Sequence, residues 1–268
     1  MEQTEAMRKM WAAGDYVTFG DLFAEVGRAL VDEIGVDGLH VLDVATGTGN
    51  TAIAAAEAGA ARVAGQDITP ELLRSARERS ETRGLNIEWG EGDMRNLVYP
   101  DGSFDRVLST FGAMGAPEPA LMAAELLRVC RPGGAVASTA WSPEAGFSKV
   151  GDVVSRFLPQ PDGGSAPAHD PADWARPEKV PAFFADLPVE LSLLERSIDV
   201  KWESAEDAAT MITTRCGPLT GAVSALKESG RWPEAYAALT EMLAAQSKDG
   251  TGSLTIEMPY LLTIARPA

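Results

Sequence analysis

The chain has 268 residues, 45% apolar and 23% charged, which suits one large globular domain or a domain carrying a cap. A formal net charge of −16 and a pI near 4.5 disfavour phosphate backbones and anionic lipid surfaces as partners. The acidic start Met1-Glu2-Gln3-Thr4-Glu5 lacks the form of a signal peptide, and no apolar run reaches the ~18 residues of a spanning helix. The two cysteines, Cys130 and Cys216, have no metal-type spacing, so a cytoplasmic protein with reduced thiols and no metal is expected.

Three zones follow along the chain. Residues 1–36 read as an N-terminal helical segment: Leu22, Phe23, Val26, Leu30, Val31 and Ile34 share one helical stripe, and Gly35 is a terminator. The glycine-broken aromatic run from Trp11 to Tyr16 precedes that stripe and has the character of a lid. Residues 37–141 alternate strands with helices. Strands are predicted at His40–Val44, Arg62–Asp67, Asn86–Trp89, Phe104–Ser109 and Ala135–Trp141. Helices are predicted over Thr51–Glu57, from Thr69-Pro70 to Gly84 with Thr as N-cap, and over Pro119–Val129. Arg131-Pro132-Gly133-Gly134 reads as a tight turn. Residues 142–268 supply helices at Pro177–Ala185, Ala205–Thr213 and Pro233–Ala245, a loop over 159–175, and two late strands, Val189–Val200 and Ser253–Ile264. This order predicts an α/β fold: a doubly wound, mostly parallel seven-stranded sheet with an N-terminal helical segment and a helical cap that bears on substrate.

In such a sheet, ligands bind outside the carboxyl ends of the strands where strand order reverses. The turn after the first strand, Ala45-Thr46-Gly47-Thr48-Gly49, stands there. Gly47, Gly49 and Ala52 satisfy the dinucleotide pattern, and Asp67 follows Gly49 by eighteen positions, as a ribose-binding acid does. The turn by itself therefore admits either a nicotinamide dinucleotide or S-adenosylmethionine.

The surroundings of the turn separate the two. Val41-Leu42-Asp43-Val44-Ala45-Thr46-Gly47-Thr48-Gly49, Gly65-Gln66-Asp67-Ile68-Thr69, Gly92-Asp93-Met94, Pro100-Asp101-Gly102-Ser103-Phe104-Asp105 and Leu126 to Gly134 occur in that order. Together they resemble the class I S-adenosylmethionine-dependent methyltransferases, in particular the ubiquinone-biosynthesis-type branch that acts on small molecules. Ala45 departs from the glycine that many members carry. The resemblance implies S-adenosyl-L-methionine as cofactor and S-adenosyl-L-homocysteine as product. It implies that Asp67 takes the ribose hydroxyls, Ile68 lies on the adenine, Asp93 accepts from the adenine amino group and the Met94 amide donates to a ring nitrogen. It further implies that Asp43 organises the turn, that Ala45, Thr46 and Gly47 approach the methionyl part, and that Ser109 or its backbone meets the ammonium. Tyr16, with Trp11, is expected to cover the methionyl end. For Asp67 a purely structural role, capping the helix near Thr69, stays open.

Methyl transfer from a sulfonium needs proximity and alignment more than a base. The Asn/Asp-Pro-Pro-Tyr/Phe signature of amino-group methyltransferases is replaced by Ser109-Thr110-Phe111-Gly112, and no Pro-Cys nucleophile occurs. Of the two histidines, His40 opens the first strand, away from the site, and His169 in the long loop is the candidate base. The cap residues Phe147, Phe157, Leu158, Trp174, Phe183, Phe184, Met211, Ile212 and Met242 favour a small hydrophobic acceptor. An oxidoreductase on a related sheet would want a Tyr-x-x-x-Lys pair, which is absent. A homo-oligomer stays open.

Overall fold

The computed structural model describes residues 2–159, 170–248 and 253–267. Three helices come first: α1 (Glu2–Ala12), α2 (Tyr16–Asp21) and α3 (Ala24–Ile34). The central unit alternates β1 (His40–Val44), α4 (Asn50–Glu57), β2 (Arg62–Asp67), α5 (Pro70–Thr82), β3 (Glu88–Glu91), β4 (Phe104–Thr110), α6 (Pro119–Val129) and β5 (Cys130–Trp141). Then come α7 (Gly146–Ser155), α8 (Val180–Phe183), β6 (Val189–Trp202), α9 (Ala205–Arg215), α10 (Gly217–Glu228), α11 (Trp232–Ala244) and β7 (Leu254–Pro267).

The strands form one seven-stranded sheet in the order β3-β2-β1-β4-β5-β7-β6. β1 to β5 pair in parallel, and β7 runs antiparallel to both β5 and β6. The seven-stranded, mostly parallel sheet expected from the sequence is the one observed. Order reverses between β1 and β4, so the crevice above β1 is the switch point. β1 is buried at every residue after His40, as a central strand covered on both faces must be. One sheet face carries Leu42, Val44, Phe104, Met122 and Leu126, with Trp174 packed beside them. The other packs Val26, Leu30, Val41, Ala52, Ile53 and Leu262 beneath α3 and α4. The cap has its own core, in which Ile212, Leu226, Leu239 and Leu243 meet Trp202, Ile256 and Met258 from the far ends of β6 and β7.

Some elements depart from the sequence expectation. β5 begins at Cys130, so the Arg131–Gly134 turn is an irregularity inside the strand rather than a connection before it. The pairing steps from Phe104↔Cys130 to Arg106↔Ala135, and Gly133 takes φ +76° there. α7 and α10 arise in stretches where no helix was anticipated, while Pro177–Ala185 shrinks to the single turn of α8. Thr69 sits at the N-cap of α5 without a side-chain capping bond; its amide donates to Asp67 Oδ1 at 2.8 Å.

Candidate active site

A cavity of about 620 Å³ opens above the carboxyl ends of β1, β2 and β4. Its floor comes from the end of β1 and the turn after it, where Asp43, Ala45, Thr46, Gly47 and Thr48 line it, and from Gln66, Asp67 and Ile68 at the end of β2. Asp93, Met94 and Arg95 follow β3, and Thr110, Phe111 and Gly112 follow β4. α1 and α2 close the top with Met7, Met10, Trp11, Tyr16 and Phe19; Phe147 of α7, Ile212 of α9 and Leu219 of α10 supply the cap side.

The turn is organised by carboxylates. Asp43, 2% exposed, accepts from Thr46 Oγ1 at 2.5 Å and from the Ala52 amide at 3.1 Å, tying turn to helix. Burial pushes its carboxyl up to about 7. Asp67 accepts from the Gly47 amide at 2.8 Å through Oδ2 and from the Thr69 amide through Oδ1. Its carboxyl is also raised, chiefly by burial. Each oxygen thus carries one backbone amide and retains a second lone pair for a hydroxyl donor. The helix-supporting and ligand-holding readings of Asp67 are compatible in this arrangement.

The two glycines have different jobs. Gly47 takes φ +55° and lines the cavity, with open space where a Cβ would be. Gly49, at φ +84°, does not line it; a Cβ there would stand 2.7 Å from the Trp89 ring and 3.2 Å from Ala76. Gly49 therefore permits close packing of α4 against its neighbours rather than close approach to a ligand.

Of the residues anticipated from the sequence, Tyr16, Asp43, Ala45, Thr46, Gly47, Asp67, Ile68, Asp93 and Met94 line this one cavity, and so does Trp11. Ser109 does not line it. It is fully buried, donating to the Val44 carbonyl at 2.9 Å and accepting from the Ala113 amide at 3.0 Å. Its hydroxyl thereby fixes the post-β4 loop, and the next residues, Thr110 to Gly112, reach the cavity instead. His169 lies outside the described residues. His40 stands at the opposite, amino end of β1, its amide bonded to Asp105 at 2.8 Å. Gln66, Arg95 and Phe111 were not anticipated. The signal for Gln66 was a polar side chain directly before Asp67 at the carboxyl end of β2.

The N-terminal helices are clasped on both sides. On the cap side Asp15 pairs with Arg215, and the Tyr16 hydroxyl accepts from the Gly217 amide at 3.1 Å. On the sheet side Arg8 pairs with Glu91. Arg79 bridges Thr48, at 2.9 Å to its carbonyl, and Asp21 of α2, at 2.6 Å. Burial drives the Tyr16 phenol far up and the Cys216 thiol to about 11, so both are neutral at neutral pH. Among the described residues, every charged side chain that lines the cavity (Asp43, Asp67, Asp93 and Arg95) comes from the motif half. The rest of the lining is dominated by apolar side chains, with Phe111 stacked on Trp141 at 3.6 Å between ring centres. No helix of the described residues is long and apolar enough to cross a membrane.

Comparison with known proteins agrees with this geometry. A family model of a methyltransferase domain matches residues 41–134, from β1 to the irregular start of β5. An uncharacterised protein of Mycobacterium tuberculosis is 34% identical over 97% of this chain and 93% of its own length. The demethylmenaquinone methyltransferase of Thermus thermophilus is 35% identical over 61% of this chain and 76% of its own. The crystal structure of a putative methyltransferase from Bacillus halodurans superposes with a TM-score of 0.59 at 23% identity, covering 91% of this chain and all of that one, and so shares the fold. The ordered motifs, the strand order and these relatives together place the chain in the family of S-adenosylmethionine-dependent methyltransferases.

Proposed function

We propose that this enzyme transfers the methyl group of S-adenosyl-L-methionine to a small, hydrophobic, natural-product-like acceptor and releases S-adenosyl-L-homocysteine. The observation that carries the reading is the two-part character of the cavity. Carboxylates and backbone amides gather at the strand ends, and an apolar, aromatic and methionine-rich half faces them from the lid and cap. A hydrophobic acceptor also accords with the demethylmenaquinone named for the Thermus thermophilus relative.

The residues present fit the cofactor. Asp67 retains an open lone pair on each oxygen for the ribose hydroxyls, and Ile68 lines the cavity beside it. Gly47 offers an unobstructed backbone face for the methionyl part. The bound cofactor supplies an activated methyl group. The chain holds the partners close and keeps water out with α1 and α2. Among the described residues no side chain of the apolar half is poised as a base, because Tyr16 and Cys216 are both held neutral. Proximity and orientation carry the transfer, because the sulfonium methyl is already activated.

The test is thermal stabilisation by S-adenosylhomocysteine against NADH, followed by incubation with a panel of quinols, phenols and terpenoids and S-adenosylmethionine. Stabilisation by S-adenosylhomocysteine alone is expected, with one acceptor gaining the mass of a methyl in place of hydrogen. Stabilisation by NADH alone refutes the cofactor assignment, and methylation confined to nucleic acid or to charged metabolites refutes the acceptor class.

A further inference from the structure

Aromatic side chains line the apolar half of the cavity as one connected belt. Trp11, Tyr16 and Phe19 of the N-terminal helices meet in sequence, with ring centres 5.8 and 6.0 Å apart. Phe19 meets Phe147 of α7 at 5.4 Å, and Phe147 meets Trp141 at the end of β5 at 5.7 Å. All four contacts are tilted or edge-on. The belt ends differently. Phe111 lies flat on Trp141, with ring centres 3.6 Å apart and planes 11° from parallel. Both rings are half-buried and line the cavity.

Phe111 holds this place at a cost. Its φ of +58° lies in the left-handed region, where a bulky side chain is an outlier. The neighbouring Gly112 is the residue suited to that region, yet it stands at φ −88°. The glycine is spent on close approach instead, because a Cβ there would lie 2.5 Å from that of Ala45 and 3.1 Å from the Ala45 carbonyl. The strain therefore falls on the phenylalanine. The surroundings enforce it: the Phe111 amide donates to the Thr139 carbonyl at 3.2 Å and to Thr139 Oγ1 at 3.1 Å, while the ring rests on Trp141. Enforced strain of this kind clusters where a side chain must be presented to a ligand.

We propose that Phe111, backed by Trp141, is a specificity-determining residue for the methyl acceptor, its ring selecting a flat, unsaturated acceptor over a saturated one of the same carbon skeleton. The proposal rests on the apolar-acceptor reading of this cavity. Burial alone does not make the distinction, since a saturated ring removes at least as much apolar surface from water. Contact of ring with ring does, because offset-stacked and edge-to-face arrangements add to what area contributes. A ring already fixed by its backbone and its stacking partner also loses little freedom when the acceptor arrives.

The test is calorimetric binding of naphthol and of its fully hydrogenated counterpart, decalol, each with S-adenosylhomocysteine at saturation. Wild type, Phe111→Leu and Phe111→Tyr are compared, and S-adenosylhomocysteine affinity is measured separately for each. Wild type is expected to favour naphthol about tenfold or more. Phe111→Leu keeps apolar bulk without the ring; it is expected to lower that preference to less than about threefold while S-adenosylhomocysteine affinity stays within about twofold. Phe111→Tyr restores the ring and is expected to keep the preference. Phe111→Met serves if the leucine variant does not fold. Decalol binding to wild type as tightly as naphthol overturns the proposal, and so does a preference that survives in Phe111→Leu or vanishes in Phe111→Tyr. A Phe111→Leu protein that loses S-adenosylhomocysteine in parallel with naphthol also overturns it, by making Phe111 a support of the whole site. Wild type that binds S-adenosylhomocysteine but neither probe would instead overturn the apolar-acceptor reading beneath it.

Discussion

The Asp67 carboxylate meets the Gly47 amide at 2.8 Å across twenty residues of sequence, joining the end of β2 to the turn after β1. Its other oxygen holds the Thr69 amide at the start of α5. One buried side chain therefore sets the relative position of two loops that face the same ligand. Asp67→Ala removes both ties and the proposed ribose acceptor together. We expect S-adenosylhomocysteine affinity to fall by at least about a hundredfold, as charge-assisted bonds are lost, and the melting temperature to drop. Asp67→Asn, which keeps one acceptor oxygen, is expected to fall between. Titration calorimetry on both variants checks this; an unchanged affinity in Asp67→Ala would remove Asp67 from the ribose site.

Asp43 gives the protein a pH signature. Its folded-state pKa, about 7, lies above the ordinary 3.8 because of burial. For a carboxyl raised on folding, the native state binds the extra proton between those values, so stability declines as pH rises from about 4 through about 7. The decline is on the order of 4 kcal/mol at most. Net charge of −16 pushes stability the same way, so wild type alone does not isolate the effect. The comparison with Asp43→Asn does. Denaturant titrations at pH 5 and pH 8 are expected to show a smaller stability difference in the variant than in wild type. An equal difference in the two proteins would place the Asp43 carboxyl at its ordinary pKa.

The lid makes a kinetic prediction. Asp15 pairs with Arg215, and Arg79 joins Thr48 of the turn to Asp21 of α2. The Asp15–Arg215 pair is substantially exposed on both sides, so its static contribution is small, on the order of 0–1 kcal/mol. Arg215→Ala should therefore leave the melting temperature nearly unchanged while α1 and α2 open more readily. Stopped-flow measurement of S-adenosylhomocysteine release is expected to show faster dissociation, about threefold to tenfold. Arg79→Met, which removes three bonds to Thr48 and Asp21, is expected to lose stability as well. Identical release rates in Arg215→Ala and wild type would mean that this clasp does not gate the site.

The central sheet was legible because short runs with apolar centres, such as Val41–Val44 and Val63–Gly65, alternate with helical stretches, and because the residues proposed to bind the ligand cluster at the strand ends. Asp43, Gly47, Asp67 and Asp93 could be placed in one crevice from strand order alone. Ser109 could not be judged that way. Its position at the end of β4 was right for a ligand, yet its hydroxyl is consumed by Val44 and Ala113, a pairing that only three-dimensional contact creates. The same holds for Arg95, which turns from a loop cation into the partner of Asp93. The cap was harder to read because α7 and α10 have no alternating strand to frame them. Their apolar faces meet the prolonged ends of β6 and β7, which are remote in sequence.

Ala45 shows how a departure from the family pattern registers as strain. It stands in the left-handed region at φ +53°, one of two non-glycine residues with positive φ that the structure records, the other being Phe111. A left-handed backbone costs an L-residue roughly 1–2 kcal/mol, whereas glycine costs about 0.5–1 kcal/mol in unfolded-state freedom. The first term is the larger, so Ala45→Gly is expected to raise stability by roughly 0.5 kcal/mol. Ala45→Val adds β-branching to the same φ, and at Ala45 a larger side chain would crowd Gly112, whose own Cβ would already stand 2.5 Å from that of Ala45. The valine variant is expected to lose about 2 kcal/mol or more. Denaturant midpoints for the two variants, taken with an unchanged slope, measure both effects. A destabilised Ala45→Gly would show that the alanine methyl contributes packing against Gly112 that outweighs the strain of its backbone.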